Sequence, residues 1–175
     1  MRASALAWLF LLAFPAAAQW SGWDYDRDQP KERFTDAEVK LPALPREENL
    51  LQFNAGPETR HRFFIDTQAL SIDSNGVVRY TLVVKTSGGA TNVSYEGMRC
   101  DLRQFKVYAL GQSHGIWMPA RDPQWQAINH LNRSAHHGVL QRDYFCTGKS
   151  RKAPVASVEE ALQLIRYGPR EHYGE

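Results

Sequence analysis

The stretch "SNGVVRYTLVVKTSGGATNVSYEGMR", residues 74–99, is the clearest indication of the fold class of this chain. Asn75-Gly76 is a strong β-hairpin signal, and "SGGA" at residues 87–90 supplies a second turn. Side chains in a strand alternate between its two faces, so one face of the run between the two turns would carry Val78, Tyr80, Leu82 and Val84. Because short turns join these strands, they must be antiparallel, since a parallel pair needs a long crossover.

The rest of the chain extends this sheet and then turns helical. "RQFKVYAL" at residues 103–110 reads as a further strand. A helix is predicted to begin at Asp122-Pro123, and another at Ser157, where Glu160 completes a capping box. "HHGVLQRDYFC" at residues 136–146 is interpreted as helical. The sequence therefore predicts an α+β fold, an antiparallel meander sheet of about four to five strands with C-terminal helices packed on one face.

The first residues have the pattern of a secretory signal peptide. Met1 and Arg2 give a positive start, Ala5–Phe14 is an apolar run, and small residues lead to an expected cleavage between Ala18 and Gln19. A membrane span needs about 20 apolar residues, which is more than this run provides. A bacterial lipoprotein would need a cysteine here, and none is present. We therefore expect a soluble protein that is exported to the periplasm without a lipid anchor.

The length of 175 residues fits a single folded domain with flanking segments. Pro42 and Pro45 favour extended backbone before them, which is typical of an arm rather than a helix. The predicted division is a signal peptide at 1–18, an extended polar arm at 19–45, a single α+β domain at 46–168 and a tail at 169–175.

The charge balance limits the possible partners. The formal net charge is +2, and removal of Arg2 would leave +1. Nucleic-acid-binding domains usually carry a strongly basic face, so we expect no nucleic-acid partner. No later segment is apolar enough for a membrane span. The partner is unknown, and envelope proteins or cell-wall material are the kinds that we consider. Arg99, Arg103 and Lys106 form either a cationic ridge for an anionic ligand or a solvated sheet face.

"GQSHG", residues 111–115, matches the G-x-S-x-G pattern of a serine hydrolase. That nucleophile elbow needs a strand before Ser113 and a helix after it. The following "IWMP" instead favours a short strand that ends at Pro119. A hairpin loop between two glycines explains the same letters, so a small serine hydrolase that uses Ser113 remains an alternative to the main hypothesis, and we predict no catalytic residue.

The histidines at positions 130, 136 and 137 raise the alternative of a metal-binding protein. Three histidines and a water can hold zinc. However, His130, His136 and His137 lack the helical i, i+4 spacing, and adjacent His136 and His137 are expected to point to different sides of any regular element. We therefore interpret them as exposed loop histidines and predict no metal and no cofactor.

The chain has only two cysteines, Cys100 and Cys146. Exported proteins meet an oxidising compartment, in which disulfides form and persist. No recognised catalytic motif surrounds either cysteine. We therefore predict a Cys100–Cys146 disulfide that fastens the helical third of the chain to the sheet.

The sequence also resembles a known family. "VVRYTLVVKTSGGATNVSYEGMRCDLRQFKVYALG", residues 77–111, is similar to the cryptic neisserial protein-like family of exported bacterial proteins. The likeness includes "LPALPREENLLQF" at residues 41–53 and "DYFC" at residues 143–146. The resemblance implies an exported domain, and it supplies no catalytic residue. We therefore expect a non-enzymatic binding or structural domain of the cell envelope.

Overall fold

A computed structural model describes residues 39–56, 59–128 and 135–169 of the chain. The predicted signal peptide, its cleavage site between Ala18 and Gln19, most of the predicted arm and His130 lie outside the described residues. So do residues 170–175 of the predicted tail. All the described residues belong to one compact unit.

The β-branched run that opens at Val77 forms the centre of an antiparallel sheet. In the described part of the chain, eight strands belong to this sheet and two more pair separately. They are β1 (Leu50–Phe53), β2 (Arg62–Asp66), β3 (Ser71–Ile72), β4 (Val77–Lys85), β5 (Thr91–Arg99), β6 (Gln104–Gly111), β7 (Trp117–Pro119), β8 (Gln126–Ala127), β9 (Cys146–Thr147) and β10 (Ala153–Pro154). A short 3₁₀ turn, Glu47–Asn49, precedes β1.

The order of the main sheet is β1-β2-β4-β5-β6-β7, with every neighbouring pair antiparallel. β4 pairs with β5 along its whole length. β2 and β3 share the other side of β4, while β7 and β8 share the outer side of β6. The predicted antiparallel meander is confirmed, although it contains more strands than the four to five that were predicted, because short strands extend its edges.

The predicted helix at Asp122-Pro123 is wrong in its described part. Gln126 and Ala127 instead form β8, which pairs with the first residues of β6. The backbone N–H of Ile128 donates to the carbonyl oxygen of Arg103, and Ile128 is buried in the core. This segment therefore pairs with the outer edge of β6 instead of forming a helix. Here a tertiary contact outweighs the local helical pattern.

The predicted hairpin at Asn75-Gly76 is present, although its turn is not the two-residue type I′ turn that Asn-Gly pairs commonly form. Gly76 has φ +75°, whereas Asn75 has no positive φ. The Gly76 N–H donates to the Asp73 carbonyl oxygen, and the Asp73 N–H donates to the carbonyl oxygen of Val77. This is a three-residue loop with the left-handed glycine in last place. The Asp73 carboxylate stabilises it by accepting from the N–H groups of Asn75 and Val77.

The helices pack against one face of the sheet, as predicted. The described helical residues form α1 (Ala135–Val139), a π-helical segment (Leu140–Phe145) that continues it, and α2 (Val158–Tyr167). α2 is capped at Ser157, whose hydroxyl accepts from the Glu160 N–H, and it ends at Gly168 with φ +88°. The main core joins these helices to one sheet face through Val78, Tyr80, Leu82, Met98, Phe105, Leu140, Phe145, Ala161 and Ile165.

The predicted disulfide between Cys100 and Cys146 is formed. It joins the residue after β5 to the residue after the π-helical segment, and both cysteines are buried. The described residues contain no helix long enough to cross a membrane.

The described end of the predicted arm lies on the opposite face of the sheet. Val39 and Leu41 pack against a second cluster of buried residues, formed by Tyr95, Tyr108 and Ala109. The indole N–H of Trp117 donates to the carbonyl oxygen of Pro42 at 2.8 Å. Residues 39–45 contain no helix or strand.

Candidate functional site

The most unusual group of side chains surrounds Glu96 in the middle of β5. Glu96 is 3% exposed and faces the helical side of the sheet, opposite Tyr80 of β4 and Val107 of β6. The pairing of β5 with β6 shifts between Tyr95 and Glu96, so that Tyr108 is left as the extra residue of a β-bulge. Bulges alter the direction of side chains and are frequent beside functional sites.

Three side chains donate hydrogen bonds to this one carboxylate. The Tyr80 hydroxyl donates to Oε2 at 2.9 Å, and the Ser94 hydroxyl donates to Oε1 at 2.6 Å. His137 Nε2 lies 2.7 Å from Oε2, with 6% of the His137 side chain and 4% of the Glu96 side chain exposed. We call Glu96, Tyr80, Ser94 and His137 the carboxylate network.

Two histidines of α1 also take part in a stack of four rings across the sheet. His136 lies against Phe63 of β2 at 5.0 Å between centroids, and against His137 at 4.1 Å. His137 lies against Phe105 of β6 at 3.7 Å, with the two planes only 19° apart. This ring stack and the carboxylate network share His137, so they fix α1 to the sheet together.

The surroundings set the ionisation of the network. Burial by itself would raise the pKa of Glu96, but attraction to His137 and the hydrogen bonds from His137, Ser94 and Tyr80 outweigh it, so this pKa is lowered. Burial, followed by the nearby Glu96 charge, raises the pKa of Tyr80 well above its usual value. Burial, followed by the positive field of His137, lowers the pKa of His136 to about 4. Glu96 is therefore an ionised carboxylate with a phenol that remains a hydrogen-bond donor.

A histidine held by a carboxylate can act as a general base, since the carboxylate orients the imidazole and stabilises its charged form. In this network, the ring nitrogen of His137 that does not bind Glu96 is Nδ1. It is buried, and no other described residue donates to it or accepts from it. Glu96 and His137 are therefore arranged like a carboxylate–histidine acid–base pair. However, the surrounding described residues bury both side chains in the core.

Comparison with known proteins identifies the chain's family. A model of the CNP1-like family matches residues 29–166, which include every strand and both helices described above except the last residue of α2. The chain belongs to the CNP1-like family. The predicted resemblance is thereby confirmed. No curated protein and no solved structure matches the chain.

In this CNP1-like chain, Ser113 lies in the turn that joins β6 to β7. The Gly115 N–H donates to the Gln112 carbonyl oxygen, and the Gln112 N–H donates to the carbonyl oxygen of Ile116, which closes a hairpin. Gly115 has φ +84°, the left-handed value that such a turn favours. The next element is the strand β7, so Ser113 does not stand between a strand and a helix.

The histidine interpretation needs correction. His136 and His137 lie in α1 rather than in a loop, and His137 is buried rather than exposed. Their rings lie together instead of pointing to different sides, because His136 rests on Phe63 while His137 reaches Glu96. His130 lies outside the described residues. Within the described ranges, no group of three histidine, cysteine, aspartate or glutamate side chains could hold a metal ion.

The three cations considered as a ridge serve different contacts in this CNP1-like chain. The Arg99 guanidinium lies 5.7 Å from the centroid of the Trp125 ring, and Lys106 Nζ lies 5.8 Å from the same centroid. Arg103, at φ +52° in the turn after β5, instead donates to the carbonyl oxygen of Ser150. Two of the three cations therefore pack on one indole, and the third fixes a turn.

Sequence reasoning missed the carboxylate network. Its members come from β4, β5 and α1, and Glu96 and His137 are 41 positions apart. One local signal was available, because Glu96 occupies a position that alternation assigns to the same face as Met98. A charged residue on the core face of a strand requires a partner. That signal predicts a partner without identifying it.

Proposed function

We propose that this protein is exported to the periplasm and acts there as a non-enzymatic binding or structural domain of the cell envelope. The observation that carries the proposal is the buried Cys100–Cys146 disulfide. Disulfides of this kind persist in oxidising compartments and are rare in the reducing cytosol of mesophiles. The signal-peptide pattern that ends at Ala18 supports the same location.

The burial of the carboxylate network supports a role without catalysis. A catalytic base must come within hydrogen-bond reach of a substrate proton. Glu96 and His137 are almost fully buried, and their hydrogen bond joins α1 to the sheet. We therefore assign this pair to the stability of the fold rather than to a reaction.

Intact-mass measurement of the exported protein tests its location. We expect a mature chain that begins at Gln19, is recovered with the periplasmic contents and has no free thiol before reduction. The matched control replaces Leu11 with Arg, which interrupts the apolar run and should leave a cytosolic chain that retains Met1. A wild-type mass that includes Met1, or recovery only in detergent, would contradict export of a cleaved product.

A fluorophosphonate probe tests the hydrolase alternative on the purified protein. We expect no labelling of the wild type, because Ser113 lies in a hairpin turn. Labelling that Ser113→Ala abolishes and Ser150→Ala leaves intact would establish a serine hydrolase instead.

Metal analysis of the exported protein tests the metal alternative. A stoichiometric metal that is lost in His136→Ala would support it.

The envelope role itself needs a cellular measurement. We expect a deletion strain to show envelope stress that the wild-type gene corrects. The Ser113→Ala variant should correct it equally well, because the proposed role needs no nucleophile. Correction by wild type but not by Ser113→Ala would contradict a non-enzymatic function.

A further inference from the structure

The helical segment 135–145 is attached to the sheet by different chemistry at its two ends. At its beginning, His137 binds Glu96 and His136 lies in the ring stack. At its end, Cys146 is covalently joined to Cys100. Protonation can alter the first attachment, whereas a disulfide does not titrate. The two ends of the segment should therefore respond differently to acid.

We propose that α1 is an acid-released latch, whose histidine-bearing turn leaves the sheet on acidification while the disulfide retains the other end of the segment. The physical reason is the close approach of two imidazoles, one of which already binds Glu96. The ring centroids of His136 and His137 lie only 4.1 Å apart. A positive charge on both rings is costly in a partly buried site, and release into water removes that cost.

The surrounding charges do not compensate for a second proton. Among the described residues, the ionisable groups near α1 come from β4, β5, the π-helical segment and the residue before β2, whereas the β6 side chain that contacts His137 is the Phe105 ring. These groups are Tyr80, Glu96, the Arg142–Asp143 pair, Tyr144, and His61 beyond Phe63. Asp143 is already paired with Arg142 at 2.7 Å. Glu96 is therefore the one carboxylate of this set that binds an imidazole of α1.

The direction of the pKa shifts agrees with release in acid. Burial and the nearby His137 lower the pKa of His136 from 6.5 to about 4 while the latch is closed. Once released into water, His136 recovers its ordinary pKa and takes up a proton between those two values. The equilibrium constant for opening should therefore rise by up to about tenfold for each unit of decrease in pH within that interval.

Opening would uncover part of the core face of the sheet. Phe63 and Phe105, which are 5% and 6% exposed, lose the imidazole that covers each of them. The acidified protein would then present an apolar surface that is closed at neutral pH. This inference does not depend on the proposed function, since it concerns the folded domain wherever it resides.

Hydrogen exchange of the purified, unreduced protein tests the latch. The measured quantity is the opening constant of single amides between about pH 4 and pH 6.5, corrected for the pH dependence of intrinsic exchange. We expect the opening constant at Val139 to rise towards about tenfold per unit of pH decrease, because one proton is taken up. The amide of Val83 in β4 should stay protected and report any global unfolding.

Two variants decide whether His136 is the cause. His136→Phe keeps a ring between Phe63 and His137 but cannot take up a proton, so the pH dependence at Val139 should disappear. His114→Phe, in the β6–β7 turn, should keep it. If His136→Phe does not fold, the NMR titration of the wild-type His136 ring must follow the opening of Val139. A slope that persists in His136→Phe, a titration that does not follow the opening, or a parallel loss of protection at Val83 would overturn the proposal.

Discussion

Glu96 is an ionisable side chain in a strand whose neighbouring residues pack into the core. Burying an unpaired carboxylate costs several kcal/mol, so such residues are rare without partners. Tyr80, Ser94 and His137 supply donors to its two oxygens. At the scale of single residues, the stability of this site therefore depends on each donor.

Replacing Tyr80 with Phe tests one donor and leaves the aromatic ring in place. We expect a loss of about 1–3 kcal/mol in the free energy of unfolding, because a buried charged acceptor loses a hydrogen bond. The pKa of Glu96 should rise, since the Tyr80 bond helps to lower it. Tyr167→Phe makes the same chemical change at a residue that is 77% exposed, and should alter stability by less than about 0.5 kcal/mol. Equal effects in urea denaturation would contradict this account.

Position 76 requires glycine because of its backbone conformation, not because neighbouring atoms leave no room for a side chain. A side chain there would meet only Pro154 at ordinary contact distance, but φ is +75°. We expect Gly76→Val to lower stability by about 1 kcal/mol or more, the cost of a left-handed residue. Gly148 has φ +81° and requires glycine for the same reason, so it is not a suitable control. Gly88, which has no positive φ, is the matched control, and an equal fall in Tm for Gly88→Val would contradict the assignment.

At the scale of elements, α2 begins with a cap that the sequence predicted. The Ser157 hydroxyl accepts from the Glu160 N–H at 3.1 Å, and the Glu160 carboxylate accepts from the Ala156 N–H at 2.8 Å. The Glu160 side chain therefore reaches one residue further back than a standard capping box, in which it would bind the N–H of the cap residue itself.

Removing the Ser157 hydroxyl should weaken the start of α2. We expect Ser157→Ala to cost about 1 kcal/mol of stability, because one N–H of the first turn loses its acceptor. Ser150→Ala, at an exposed position whose backbone carbonyl rather than side chain is used, should change little. Denaturant midpoints measure both variants. A loss of stability in Ser150→Ala as large as that in Ser157→Ala would contradict the stabilising role of the cap.

The disulfide acts between two elements, β5 and the π-helical segment. Its cysteines are 46 residues apart, for which the chain-entropy account gives at most about 4 kcal/mol of stabilisation. We expect reduction to lower Tm by several degrees, and denatured, unreduced protein to contain no titratable thiol. Paired Cys100→Ala and Cys146→Ala substitutions should reproduce the effect of reduction and become insensitive to reductant. Two free thiols in freshly exported protein would contradict the pairing.

At the scale of the whole molecule, the histidine and carboxylate positions make folding stability depend on pH. The folded pKa of His136 is about 4 instead of 6.5, so the unfolded chain binds more protons within this interval and stability falls as pH decreases through it. Glu96 has a lowered pKa, so its contribution is present above its unfolded pKa and is lost at more acidic pH. Both groups therefore act in the same direction.

We expect the free energy of unfolding to decrease from neutral pH to about pH 4, by at most about 3 kcal/mol from His136, since 6.5 − 4 = 2.5 pH units. Urea denaturation at several pH values measures it. His136→Phe should flatten the upper part of the curve and leave the acidic part, which belongs to Glu96. A stability that rises on acidification would contradict the assigned directions.

The features that depend on local chemistry could be predicted from the sequence. The alternation in residues 77–85 predicts which residues of β4 face the helices, and Ser157 with Glu160 predicts where α2 begins. Two cysteines allow only one pairing, so composition was sufficient for the disulfide. These inferences succeeded because each depends on residues close in sequence or on a single possible combination.

Long-range contacts explain why the sequence did not predict the carboxylate network, the bulge at Tyr108 or the strand at Gln126. The network joins side chains from three elements, and the pattern within each element leaves the partner of Glu96 open. Gln126 lies in a strand because the unpaired side of β6 was available to it. Burial and edge pairing are properties of the assembled chain. They therefore determine the local structure where propensities are weak and distant residues compete for the same contact.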